Sequence, residues 1–562
     1  MIGLISATAA GAAARDRLAA AWPDRTRVYD GPVPGAVRAA FAECEQLVCF
    51  LATGAVVRLL APLLADKRTD PGVVCVDEGG RYAVSLVGGH DGGANDLARE
   101  VGAVLGAEPV VTTATDAVGL PGLDTLGFPV EGDLARVTRA LLDGEPVALD
   151  AEVPWPLPAL PLTEPGRAAY TVRVTDRAVA PGEREVLLRP PSLVVGVGAS
   201  RGAPVDEVLG LVEGALSDAG LSARSVAELA TVHAKAKEPG IVGAAERLGV
   251  PVVTYSAEEL SQVEVPNPSD APLAAVGTPS VAEAAALVRG GELLVPKRKS
   301  AARPAMATCA VVRRPGRGRL AVVGLGPGAR DLLTPRALAE LRRASVLVGL
   351  DQYVDQIRDL LRPGTRVLES GLGAEEERAR TAVAEARRGH AVALIGSGDA
   401  GVYAMASPAL AEASDDIDVV GVPGVTAALA ASAVLGAPLG HDHVSISLSD
   451  LHTPWEVIER RVRAAAEADI VVTFYNPRSR GRDWQLPKAL GILAEHREPG
   501  TPVGVVRNAS RTDESSRVTT LAELDPATVD MMTVVTVGNT ATRRIAGRMV
   551  TPRGYRWQEE PK

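Results

Sequence analysis

Three features of the 562-residue sequence predict a multi-domain α/β architecture. The chain is too long for a single ordinary core, and its length corresponds to roughly three or four domains. Short β-branched runs, at 193–197, 320–323, 346–348, 392–395, 470–474 and 503–506, alternate with stretches rich in Ala, Leu and Arg. That alternation is the pattern of helices layered on largely parallel sheets. Breaker residues concentrate at two places. Residues 151–168 carry Pro154, Pro156, Pro158, Pro161 and Pro165, and 313–319 read Arg-Arg-Pro-Gly-Arg-Gly-Arg without apolar periodicity. Regular structure is not expected to persist through either. The boundaries that follow are an N-terminal α/β domain at 1–130, a middle region at 131–190, a compact α/β domain at 191–312, a linker at 313–318 and a larger module at 319–556. That module divides at about 319–435 and 436–556.

Composition narrows the function classes. Hydrophobic residues make up 46% and charged residues 23%, the balance of a soluble globular chain. A net charge of −10 gives no general attraction to nucleic acid or anionic membranes, so an anionic substrate would need a local basic cluster. No apolar run reaches the roughly 18 residues of a membrane helix. Residues 1–14 are apolar but lack a basic lead, and read as a strand entering a helix rather than a signal peptide. A cytoplasmic location is expected. Cys44, Cys49, Cys75 and Cys309 match no zinc or disulfide spacing and are read as buried free thiols.

In the N-terminal half, a strand after Asp77-Glu78 runs into Gly88-Gly-His90-Asp91-Gly-Gly93, with a helix starting near Asn95. Such a loop either exposes backbone N–H groups to an anion or serves only as a turn. His90 is the only histidine in the first 230 residues. Further on, alternation places Thr231, His233, Lys235 and Lys237 on one face of an extended segment. That face suits either carboxylates or solvent.

The C-terminal module opens with a buried strand, Gly324-Leu-Gly326-Pro327-Gly328-Ala329, and a helix capped by Thr334 with Pro335 at its first position. Gly324-x-Gly326-x-x-Ala329 fits a loosened dinucleotide fingerprint, with Asp351 at the end of the next strand as a ribose-binding acid. Pro327 opposes that reading because it removes an N–H from the turn. Gly396-Ser397-Gly398-Asp399-Ala-Gly-Val402-Tyr403 follows, then Gly424-Val-Thr426-Ala427, Ser447-Leu-Ser449-Asp450, Tyr475-Asn476-Pro477 and Arg507-Asn508-Ala509. Glycines at 396, 398 and 401 permit close backbone approach to a ligand, and Asp399 can accept hydrogen bonds from amino or hydroxyl groups. Arg478, Arg480 and Arg482, with Lys488 beyond, form either a carboxylate clamp or a solvated loop. His441, His443 and His452 lack an acidic or Cys partner that would complete a ligand set, so no metal site is assigned.

In order and spacing, the motifs of 319–556 resemble the tetrapyrrole methyltransferase family, and most of all precorrin-3B C17-methyltransferases. The resemblance implies a two-subdomain α/β (class III) methyltransferase holding S-adenosylmethionine in its cleft. Carried over by position, the cofactor pocket falls on Pro327, Ser397, Gly398, Asp399, Val402, Thr426, Ala427, Asn476 and Ala509. Asp351 stands where some relatives carry a proton-accepting carboxylate, and Arg478 and Arg480 would hold ring carboxylates. Over about 40–312, the Gly-Gly-His-x-Gly-Gly-Ala-Asn loop, the 230–242 segment, Gly277-Thr-Pro279-Ser280 and Leu294-Val-Pro-Lys-Arg-Lys299 resemble cobalt-precorrin-5A hydrolases. These open a δ-lactone and release acetaldehyde. His90 is then the expected base or donor, oriented by Asp91 or Glu78, with Lys235 and Lys237 holding carboxylates. A bifunctional enzyme of corrin-ring synthesis is therefore expected, acting on a tetrapyrrole, with a possible homodimer through the methyltransferase module. The alternatives are a methyltransferase whose N-terminal half binds tetrapyrrole without catalysis, and an NAD-linked reductase.

Overall fold

The computed structural model describes residues 1–554 apart from 67, 68, 90, 91, 270–272, 275, 315 and 480. His90, Asp91 and Arg480 therefore lie outside the described residues. The chain divides into two compact units, one of residues 1–155, 159–316 and 362–364, the other of 156–158, 317–361 and 365 onward.

The first unit contains three sheets. Its opening sheet runs in the order Thr26–Val28, Ile2–Ser6, Gln46–Phe50, Gly72–Val76, Tyr82–Val87, Glu108–Val110, and only the Gly72–Val76/Tyr82–Val87 pair is antiparallel. Apart from Ser6 and Gln46 at their ends, the central strands are apolar because both faces are covered. Leu4, Val48, Phe50, Val74 and Val76 pack with Leu18 of the Ala9–Ala21 helix and Leu97 and Val101 of the Ala94–Leu105 helix. Their neighbours Ile5, Leu47, Cys49, Val73 and Cys75 face the opposite core with Val37 and Val56. Burial raises the Cys75 thiol to about 12, the mark of an inert packing residue rather than a nucleophile. A four-stranded sheet follows, ordered Val130–Gly132, Glu185–Leu188, Tyr170–Val174, Val147–Ala151. The third is ordered Val252–Tyr255, Val226–Val232, Leu193–Ala199, Ala307–Arg313, Glu292–Lys299.

The arginines of the basic stretch expected as a linker make ion pairs. Arg313 closes a strand and pairs with buried Asp176, Arg314 pairs with Glu228, and Arg317 pairs with Asp418. The Arg313 and Arg314 guanidinium groups lie largely out of solvent beside carboxylates that are themselves mostly buried, whereas the Arg317–Asp418 pair is exposed.

The second unit is built in two halves. The first is an all-parallel sheet in the order Arg366–Ser370, Val346–Leu350, Ala391–Gly396, Arg319–Gly324, Asp418–Val422. Thr334 caps the Pro335–Arg343 helix through Ala337 N, which starts the chain back across the sheet. The second is a mixed sheet in the order His443–Ser447, Val471–Tyr475, Thr533–Val537, Pro502–Arg507, Ser515–Thr520. Strand order removes the dinucleotide reading. A Rossmann sheet pairs its first strand with its second, so that the acid ending the second faces the glycine turn. Here the Ala391–Gly396 strand stands between Arg319–Gly324 and Val346–Leu350. Asp351, an exposed residue opening the Asp351–Ile357 helix, has its carboxylate turned back to Gln352 N. Among the described residues, no helix is long and apolar enough to cross a membrane.

Candidate functional site

Ligands in open α/β sheets bind outside the carboxyl ends of the strands. In the second unit six such ends carry the loops 325–329, 397–403, 423–426, 448–450, 476–479 and 508–511. Hydrogen bonds join loops of the two halves. Tyr475 Oη lies 2.6 Å from Thr426 Oγ1 and accepts from Ala428 N at 2.8 Å. Tyr403 Oη donates to Ser445 O at 2.7 Å, and its ring meets that of Tyr475 at 5.2 Å. Arg511 Nε donates to Pro327 O at 3.0 Å, and Ser510 Oγ accepts from Ala329 N at 3.4 Å. These contacts join the strand-end loops of the two halves along one seam, the cleft.

The glycine-rich motifs are conformational demands of that cleft. Gly326 and Gly398 exchange backbone hydrogen bonds at 3.0 and 2.7 Å, both at positive φ. A Cβ on Gly424 would stand 2.1 Å from Gly398 O, so the loops after three strands approach backbone to backbone. Asp399 holds this arrangement: Oδ1 accepts from Gly401 N at 2.8 Å and Oδ2 from Gly424 N at 3.0 Å. Both oxygens are engaged by backbone donors, and each keeps acceptor capacity for a ligand. Val402 N donates to Asp399 O, Ser397 is half-buried beside them, and Pro327 is buried.

Strain gathers at the same place. Seven non-glycine residues among those described have positive φ, and four of them, Tyr403, Asn476, Asn508 and Ser510, sit on these loops. Such conformations persist where surrounding contacts over-determine them, and they concentrate at functional sites. Asn476 Nδ2 donates to Ser447 Oγ at 3.1 Å, and Asn508 Nδ2 donates to Asp513 at 2.6 Å. Buried Ala509 stands between Asn508 and Ser510, while Ala427 begins the helix after Thr426. Burial opposes ionisation of Asp530, but hydrogen bonds from Arg507 and Thr533 hold it below the usual carboxylate range. The roles of Tyr475, Arg511 and Ser510 were not assigned from sequence. Tyr475 lay inside a motif already noted, whereas Arg511 gave no local signal.

The basic loop divides. Arg478 donates to Ala527 O at 2.6 Å. Arg482 donates to Leu448 O and Asn476 O at 2.9 and 2.6 Å, and burial lowers its guanidinium pKa. Arg482 is therefore a backbone brace rather than a free clamp. His441 and His443 are exposed, and the His441 ring accepts from Asp442 N.

Among the described residues of the first unit, Glu78 and Lys235 have separate partners. Glu78 is exposed and accepts from Thr8 Oγ1 at 2.7 Å beside the first sheet. Lys235 lies on the turn after the Val226–Val232 strand of the third sheet, where it pairs with buried Glu238 at 3.1 Å. The extended face expected for Thr231 to Lys237 is corrected. The strand ends at Val232 and a 3-10 turn spans His233–Lys235, because the chain must bend to start the helix at Pro239. Thr231 is buried while Lys237 is exposed. The glycine loop is packed against the sheet: a Cβ on Gly92 would lie 2.6 Å from Gly72 N. Buried Asn95 follows, accepting from Ser85 Oγ and donating to Thr113 Oγ1.

Residues 319–525 match the family model for tetrapyrrole (corrin/porphyrin) methylases, 193–312 that for the cobalamin synthesis G C-terminus, and 35–116 that for the cobalamin synthesis G N-terminal region. The chain is 46% identical over 239 residues to a probable cobalt-factor III C(17)-methyltransferase of Salmonella typhimurium, covering 42% of this chain and 99% of that protein. It is 41% identical over 246 residues to a cobalt-factor III methyltransferase of Priestia megaterium, of whose length it spans 45%, again with 42% of this chain. The crystal structure of the methyltransferase CobJ aligns with 40% identity and a TM-score of 0.41, over 42% of this chain and 100% of that one. The chain belongs to the tetrapyrrole (corrin/porphyrin) methylase family, carrying a cobalamin-synthesis-G-like region on the same polypeptide.

Proposed function

We propose that the second unit methylates C17 of a precorrin-3B or cobalt-factor III ring, with ring contraction, and that the first opens the δ-lactone of a cobalt-precorrin-5A and releases acetaldehyde. The observation that carries the methylation reading is the near-complete coverage, at 46% identity, of a protein named a probable cobalt-factor III C(17)-methyltransferase. S-adenosylmethionine is the methyl donor. When bound, it supplies a methyl group already activated on a sulfonium sulfur. The residues present fit such a nucleoside. Asn508 Oδ1 is buried in the cleft loops without a protein partner among the described residues, an acceptor suited to an amino group. The proposed pocket residues Pro327, Ser397, Gly398, Val402, Thr426, Ala427, Asn476 and Ala509 all sit on the five loops 325–329, 397–403, 423–426, 476–479 and 508–511 or open the Ala427–Leu435 helix. Asp399 belongs to the same proposed pocket, and its carboxylate also holds the backbone at Gly401 and Gly424. The protein's contribution is chiefly positioning, since an in-line transfer to a ring carbon needs donor and acceptor held about 3–3.5 Å apart.

Methylation is tested by incubating the full chain with precorrin-3B or cobalt-factor III and S-adenosylmethionine labelled at its methyl group. The expected product gains one label at C17 by NMR; an unlabelled ring overturns the reading. For the first unit, His90 is the proposed base or donor and Lys235 and Lys237 the carboxylate contacts. Acetaldehyde release from the lactone should fall at least about 100-fold in His90→Ala. A binding role without hydrolysis is the second reading, favoured by the engagement of Glu78 with Thr8 and of Lys235 with Glu238. Full acetaldehyde release by His90→Ala removes the assigned base. No release by the wild type leaves the binding role.

A further inference from the structure

Two indole rings and an ammonium group lie at the edge where the second half of the methylase unit meets its cleft. The Trp455–Glu467 and Gln485–Ala494 helices follow the strands His443–Ser447 and Val471–Tyr475, so their first turns stand at the carboxyl ends of those strands. Trp455 begins one helix and Trp484 caps the other, with ring centroids 4.9 Å apart and planes inclined by 71°. Trp455 packs against the core and donates to Glu459. Trp484 is 40% exposed. Lys488, one turn further along the same helix, holds its Nζ 4.6 Å from the Trp484 centroid, and no ion pair engages it among the described residues.

The pair is fixed in place. Arg482 braces the preceding segment to Leu448 O and Asn476 O, and Gln485 Nε2 donates to Asp450 Oδ2 at 3.0 Å. Trp484 is thus clamped between the loops after two cleft strands. Leu451, next to Asp450, is exposed, and Arg482 reaches the Sδ of exposed Met531. The surface combines a fixed, partly uncovered indole, apolar side chains and an unpaired cation. A Lys over an aromatic ring gains about 0.5–1 kcal/mol at an exposed site and keeps its charge for an anion. Flat ring plus peripheral carboxylates is the chemistry this surface complements.

We propose that Trp484 and Lys488 form a substrate subsite at the mouth of the methylation cleft, the indole packing on the macrocycle and the ammonium pairing with one peripheral carboxylate. This rests on the tetrapyrrole reading given above. The test titrates the full chain with uroporphyrin, an octacarboxylate porphyrin, following tryptophan fluorescence, while calorimetry measures S-adenosylhomocysteine affinity. Lys488→Met should weaken porphyrin binding about 10-fold with unchanged nucleoside affinity, Lys488→Arg should restore it to within about 3-fold, and Trp484→Phe should reduce the quenching. Wild-type affinity in Lys488→Met overturns the subsite alone. So does loss of melting temperature in Lys488→Met without loss of porphyrin affinity, which is the behaviour of a purely structural lysine. A wild-type protein that binds the nucleoside but no porphyrin overturns the substrate reading itself, and the subsite with it.

Discussion

The methylase cleft and the glycine-rich loop of the first unit use the same residue for different ends. In the cleft, Gly398 and Gly424 bring three strand-end loops together, and Asp399 completes the contact with two backbone N–H groups. In the first unit, Gly88 and Gly92 pack against Gly72 within one sheet and its own loop, and buried Asn95 is occupied by Ser85 and Thr113. The cleft joins separated segments, whereas the loop seals a local turn. A glycine-rich motif therefore reports close backbone approach, and only the identity of the approaching backbone shows whether a site is being assembled.

That comparison breaks most sharply at Gly424. A methyl group there meets the carbonyl of Gly398, which belongs to backbone and cannot step aside. Gly424→Ala should cost at least about 100-fold in S-adenosylhomocysteine affinity by calorimetry. Near-normal affinity would show that the three-loop contact is not part of the site. Asp399→Asn is the next step down. Its amide still accepts one of the two N–H bonds but presents a donor to the other, a loss of about 1–3 kcal/mol. Methylation and nucleoside affinity should fall together, read by turnover and calorimetry on one preparation.

The smallest effect is expected in the first unit. Burial opposes ionisation of Glu238, but Gly202 N, Lys235 and Ala203 N outweigh it and hold the carboxyl below its ordinary value of 4.5. A carboxyl with a depressed folded pKa contributes stability that is fully present above its unfolded value and is lost as pH falls through the folded one. Denaturant midpoints should therefore drop for the wild type below pH 4.5, and Glu238→Gln should flatten that acid limb by about 1 kcal/mol while leaving nucleoside binding intact. An unchanged acid limb would mean that the Lys235–Glu238 pair is energetically idle.

Much of the layer structure was legible locally. The β-branched runs at 193–197, 320–323 and 346–348 all lie within strands, and Thr334-Pro335 starts a helix as its capping chemistry requires. The ordered glycine motifs marked the loops that line the cleft. Two readings failed for nonlocal reasons, and a third segment made unforeseen contacts. The dinucleotide fingerprint was undone by the strand inserted between Arg319–Gly324 and Val346–Leu350. The basic 313–317 stretch was claimed by Asp176, Glu228 and Asp418, carboxylates far away in sequence. The alternation at 231–237 stopped where the chain turned into a helix.

The sequence by itself determined where strands, helices and close-approach glycines fall, because hydrophobic period, capping and the absence of a Cβ act over a few residues. Only the tertiary structure decided which loops face one another. Strand order assigned Asp399 to brace Gly424, set Tyr475 beside Thr426, and brought Arg511 to Pro327 across 184 positions. Sheet pairing is a long-range choice, made by the summed burial of whole elements rather than by any one motif.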